Sequence, residues 1–145
     1  MPFTRTRGPS DNRSASGRIA FSRLLPDGGV ETYTVNPDGS DEQLVEIPEV
    51  NEDWGRAVWS HDGQHLLLSN ILRFDQDGEL LPFRPATAQP DGSEFNLLEL
   101  PDFPFDGYCT AWSPDDQQIL CGVGGDSPGV WSLSASDGGD DGDRI

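Results

Sequence analysis

Two stretches of this chain are near-copies, and that repetition constrains the fold more than any other feature. Ala57-Val58-Trp59-Ser60-His61-Asp62-Gly63 is answered by Thr110-Ala111-Trp112-Ser113-Pro114-Asp115-Asp116, with the tryptophans 53 residues apart. Each copy runs into a short apolar segment, Leu66-Leu67-Leu68-Ser69 in one and Ile119-Leu120-Cys121-Gly122 in the other. A third such segment, Ile19-Ala20-Phe21-Ser22, begins 47 residues before the first of these. Downstream of each comes a polar turn: Pro37-Asp38-Gly39-Ser40, Pro90-Asp91-Gly92-Ser93, and the looser Ser136-Asp137-Gly138-Gly139. The first two turns lead into Gln43-Leu44-Val45-Glu46-Ile47-Pro48 and Asn96-Leu97-Leu98-Glu99-Leu100-Pro101. Self-similarity at a near-constant period means an array of one supersecondary unit, each copy burying its apolar faces on its neighbours.

The unit itself reads as strands. Apolar runs of four to six residues bounded by Pro, Asp and Gly are too short for helices and suit β-structure. In Pro-Asp-Gly, proline presets one turn dihedral, the aspartate side chain accepts from nearby backbone N–H groups, and glycine takes a positive φ. One full repeat then predicts strands at Arg56–Ser60, His65–Asn70, Phe83–Gln89 and Asn96–Leu100, and no helix is predicted anywhere. Four antiparallel strands in about 40 to 50 residues is the size of a propeller blade. The expectation is an all-β chain: a disordered N-terminal segment at 1–17, then a partial β-propeller of about two and a half to three blades at 18–48, 54–101 and 107–145.

The order Trp-Ser-Pro-Asp, apolar run, extended segment, Pro-Asp-Gly-Ser and Leu-rich strand resembles the Pro-Asp propeller repeat of the TolB family, which is also WD-repeat-like. Similar repeats form the non-catalytic propeller of prolyl-oligopeptidase-type serine peptidases. The resemblance spans about Arg18 to Ile145 and implies a non-catalytic module that binds a protein or peptide. The alternative it implies is the accessory propeller of such a peptidase, with the hydrolase domain elsewhere. Arg13-Ser14-Ala15-Ser16 stands where Trp-Ser-x-Asp-Gly belongs, so the innermost strand of the first unit is expected to be missing or degenerate. The last unit is expected to stop, at Asp143-Arg144-Ile145, where its outermost strand would begin. TolB-like rings usually have six blades, so an arc of this size leaves apolar blade faces uncovered. Either a second copy completes the ring or the chain is a fragment.

Charge narrows the partners. The chain carries 26 acidic residues against 9 basic ones, all arginine, for a formal net charge of -17. Such a surface repels phosphate backbones and anionic lipid, so nucleic acid is excluded as a partner. The balance also resembles that of salt-adapted proteins. No stretch approaches the roughly 20 apolar residues of a membrane helix, and Met1–Ser16 lacks the apolar run of a secretory signal. A cytoplasmic location without membrane insertion is therefore expected. Cys109 and Cys121 lack metal-ligand spacing and, in a reducing compartment, are expected as free thiols.

Few residues invite chemistry, and most have a plainer role. Trp59 and Trp112 could form an aromatic surface, but large aromatics at inner-strand ends are expected to pack between blades. Asp38, Asp62, Asp91 and Asp115 are expected to cap tight turns. Asp75 and Asp77, and Asp137 and Asp141, resemble fragments of calcium loops but lack a complete set of alternating ligands. They read more simply as acidic surface. His61 and His65 have no third ligand, and Ser60 and Ser113 lie in no Gly-x-Ser-x-Gly elbow. No catalytic residue and no cofactor is expected. The copies differ most in the segments leading into the inner strands, Glu52-Asp53-Trp54-Gly55-Arg56 and Phe105-Asp106-Gly107-Tyr108-Cys109. These are either ordinary variable loops or a partner site built from Asp53, Trp54, Arg56, Asp106 and Tyr108.

Overall fold

The computed structural model describes residues 17–48, 51–53, 56–99, 107–124, 128–136 and 138–145. Among them there is no helix, and the strands form three antiparallel sheets in chain order. The first sheet comprises β1 (Ile19–Leu24), β2 (Val30–Val35) and β3 (Gln43–Leu44). The second comprises β4 (Asn51–Asp53), β5 (Ala57–Trp59), β6 (Leu66–Phe74), β7 (Leu80–Ala88) and β8 (Asn96–Leu97). The third runs β12 (Gly138–Arg144), β11 (Gly129–Ser134), β10 (Gln118–Val123), β9 (Gly107–Trp112).

Burial explains the apolar runs. Leu66, Leu68, Ile71 and Ala86 join Ala57 and Trp59 in a cluster with Ala20 and Val45 of the first sheet. Leu67 and Leu98 turn the other way, packing with Cys109, Trp112, Ile119, Cys121 and Leu133 of the third. The second sheet is thus covered on both faces, which is why β6 is apolar at successive rather than alternate positions. Each such leucine gains about 1.5–3 kcal/mol from leaving water. By contrast β1 ends exposed, with Leu24 at 72%.

Three expectations are corrected. The third unit does not stop short of an outer strand: β12 pairs with β11, opposing Arg144 to Trp131 and Asp143 to Ser132. The glycine- and aspartate-rich tail reads as a loop, yet β11 offers an unpaired edge that its backbone can bond whatever its side chains. The segment leading into β5 is partly strand. β6 is nine residues long and overhangs β5, so its far half takes β4 as a second partner, with Asp53 opposite Ile71. Cys109 and Cys121 are not free thiols but a disulfide. They sit directly opposite on β9 and β10, past a register shift, with Cα atoms 3.9 Å apart. The cause is register, which composition cannot show. The expected disorder of residues 1–17 falls, except for Gly17, outside the described residues, as does the degenerate turn Arg13–Ser16. The first sheet has three strands among the described residues.

Candidate functional site

The Ser-x-Asp turns that repeat along the chain are hydrogen-bonded clamps. Ser60 Oγ donates to Asp62 Oδ1 at 2.6 Å and accepts from the His65 N–H at 2.9 Å, while Asp62 Oδ1 also takes the Gln64 N–H. Ser113, Asp115, Gln117 and Gln118 repeat the pattern. At the Pro-Asp-Gly-Ser turns, Asp38 accepts from the Ser40 N–H and hydroxyl, and Asp91 from those of Ser93. In all four cases the serine hydroxyl is the main reason the carboxyl is held below its ordinary 3.8. The serines and aspartates of the motif are committed to turn structure.

Hydrogen bonds tie the second sheet to the third around the turns after β5 and β9. Trp112 Nε1 donates to the Val58 carbonyl at 3.0 Å. Asp116 stands where the earlier copy has Gly63 and keeps the glycine-like backbone, with φ 57° against 71°. Its carboxylate reaches back across the junction, accepting from the His61 N–H at 2.8 Å and the Asp62 N–H at 2.9 Å. The His61 ring Nδ1 lies 3.0 Å from the same carboxylate. A left-handed non-glycine residue costs about 1 kcal/mol, and two charge-assisted bonds at the junction offset it.

Beside this junction is a groove of about 340 Å³, lined among others by His65, Thr87, Glu94, Asn96, Trp112 and Asp116. Asn96 Nδ2 closes one wall by donating to the Ser136 carbonyl at 2.6 Å. Thr87 is 7% exposed, and Glu94 is held at φ 52°. Among the described residues no hydrogen bond engages the Thr87 hydroxyl or the Glu94 carboxylate. The groove therefore presents the Thr87 hydroxyl and the exposed Glu94 carboxylate as unspent acceptors, beside the Asp116 carboxylate already bonded to His61 and Asp62.

The residues singled out in the sequence lie elsewhere. Arg56 is exposed and precedes β5, its N–H donating to Ser69 Oγ at 2.8 Å. Tyr108 is 63% exposed on β9, opposite Gly122. Both are at the ends of the inner strands remote from the groove, whose His65 and Asp116 come from the turns after those strands. Asp53 lies on β4; Trp54 and Asp106 lie outside the described residues. Of the calcium candidates, Asp75 Oδ1 caps its own hairpin turn by accepting from the Asp77 and Glu79 N–H groups. Asp141 falls within β12, and Asp137 lies outside the described residues. No group of three or more His, Cys, Asp or Glu side chains is placed to hold a metal among the described residues. Likewise no helix there is long and apolar enough to cross a membrane.

The sequence reading missed Thr87 and Glu94. The signal available was a substitution between repeats, Arg18 before the first apolar run and His65 before the second. No protein-family model and no curated protein matches the chain.

Proposed function

We propose that this chain is a non-catalytic, TolB-like β-propeller module that binds a protein or peptide, and that the groove beside the second and third sheets is where it does so. The observation that carries the reading is the unengaged hydroxyl of Thr87, a residue only 7% exposed, beside the unengaged carboxylate of exposed Glu94 in the groove wall. Acceptors that spend no bond within the fold, one of them charged, are free to bond a ligand's donors. The propeller reading is supported by three successive antiparallel sheets, the first and third in simple chain order and the second with β4 and β5 both pairing β6, packed on one another through two apolar clusters. The absence of catalysis is supported by the state of the candidate nucleophiles. Ser60 and Ser113 donate to carboxylates, and the His61 ring is turned to Asp116 rather than to any hydroxyl.

A displayed peptide library selected on the purified chain tests the binding claim; enrichment of a consistent motif is expected. Peptidase and esterase assays on the same preparation test the other half. Turnover that Ser60→Ala or Ser113→Ala abolishes contradicts it.

A further inference from the structure

The first repeat shows what the groove of the second is shaped to hold. Arg18 precedes β1 and places its guanidinium in a cradle of four acceptors. Nη1 donates to Asn36 Oδ1 at 3.0 Å and to Asp41 Oδ2 at 2.7 Å. Nη2 donates to Thr34 Oγ1 at 3.0 Å and to the Asp41 carbonyl at 2.8 Å. Thr34 is wholly buried and the Arg18 side chain is 18% exposed.

The second repeat rebuilds that cradle without its arginine. Ile19 opposes Val35 as Leu66 opposes Ala88. The turn bonds Asn36 N to Ser40 O and Gly39 N to Asn36 O recur as Gln89 N to Ser93 O and Gly92 N to Gln89 O. Registers correspond residue for residue from Ile19 to Phe21 and from Leu66 to Leu68, and the turns correspond with them. Thr87 takes the place of Thr34, Gln89 that of Asn36, and Glu94 that of Asp41. The backbone agrees as well: Asp41 and Glu94 share the left-handed conformation, at φ 54° and 52°, which in the first repeat aims the carbonyl and carboxylate of one residue at one guanidinium. At Arg18's place stands His65, whose ring is too short to fill the space. What remains is the groove of about 340 Å³, with Thr87 and Glu94 unengaged and Trp112 on its wall.

We infer that this groove takes the guanidinium of an arginine side chain from an extended partner peptide, which docks in the second repeat where Arg18 docks in the first. The inference rests on the binding-module reading and names its recognition chemistry. Two observations favour an arginine over other cations. The acceptors are spread over a hydroxyl, a carboxylate and a carbonyl, which suits a planar fork of five donors better than a point charge. The net charge of -17 attracts a basic peptide and concentrates it near the surface.

The test is titration of N-acetyl-arginine methylamide into the full chain, followed by amide chemical shifts. Saturable shifts are expected at Thr87, Glu94 and Asn96. The uncharged citrulline analogue should bind about tenfold more weakly or worse, and Glu94→Gln should weaken the arginine compound by a similar factor. His65→Arg supplies the guanidinium in cis and should abolish binding while leaving the rest of the spectrum in place. Thr87→Val serves as a second variant and should also weaken binding. Free arginine, whose carboxylate the acidic groove repels, should bind less well than the capped compound. Any of three results overturns the inference: no saturable shift, shifts confined to other residues, or binding unchanged by His65→Arg. Tighter binding of free arginine also overturns it, since the ligand would then be the amino acid. The two readings fail separately. Library peptides whose retention is unaffected by His65→Arg remove the arginine cradle and leave the binding module standing. A saturable groove with no peptide enrichment removes the binding module and the peptide as its occupant, leaving only the guanidinium chemistry of the cradle.

Discussion

Trp112 Nε1 donates to the Val58 carbonyl at 3.0 Å, whereas Trp59, in the same place one repeat earlier, is 5% exposed with its Nε1 unpaired. The same residue at the same position thus has two energetic roles. Trp112→Phe leaves a carbonyl at the junction without its donor, while Trp59→Phe removes a buried donor that bonds nothing. Both changes lose similar volume, so the difference isolates the hydrogen bond. Trp112→Phe is expected to cost about 1–2 kcal/mol more than Trp59→Phe in denaturant unfolding. Equal costs would contradict the assignment.

Gly39 and Gly92 occupy equivalent turns with φ 84° and 87°, yet they should not respond alike. A methyl at Gly39 meets nothing within 4 Å, so Gly39→Ala carries only the left-handed backbone penalty of about 1 kcal/mol. A methyl at Gly92 collides with the Glu46 backbone, where the second repeat's turn packs on the end of the first. Gly92→Ala is therefore expected to cost at least about 2 kcal/mol more, measured by thermal unfolding of the two variants side by side.

The disulfide has a direct check. Mass spectrometry after alkylation of the unreduced protein should find no free thiol. Reduction should lower the unfolding free energy by about 3 kcal/mol, the loop-closure value for cysteines 12 residues apart.

These contrasts also show what was legible in the sequence. The turns were, because Pro-Asp-Gly-Ser and Trp-Ser-x-Asp carry their own hydrogen bonds: Asp38, Asp62, Asp91 and Asp115 cap as their spacing predicts. Both tryptophans are buried between sheets, as their position at inner-strand ends implied. What depended on register or edge pairing was not legible. Cys109 and Cys121 meet only through a one-residue shift in β9, and β12 forms because β11 offers an unpaired edge. β4 exists because β6 outruns β5. The groove was hidden for another reason. Sequence variation drew the reading to Arg56 and Tyr108, while Thr87 is a repeated residue whose significance lies in the partner it lacks.

Acid should destabilise the fold through the four capping aspartates. Their folded pKa values lie below the ordinary 3.8, so their contribution is complete above about pH 4 and is lost as pH falls through the depressed folded values. Protonation also relieves the repulsion among the net negative charges, an opposing effect. Molar salt screens that repulsion. In about 1 M salt the melting temperature is therefore expected to hold from pH 6 to about 4 and to drop below it. A rise below pH 4 would contradict the capping assignment.

Hydrogen–deuterium exchange with and without a library-selected peptide tests the central claim most directly, since it locates the contact without assuming its chemistry. The account predicts added protection around His65, at Thr87 to Asn96 and at Trp112 to Gln117, with little change at Arg56 or Tyr108. Protection centred on Arg56 and Tyr108, with the groove unchanged, would contradict it.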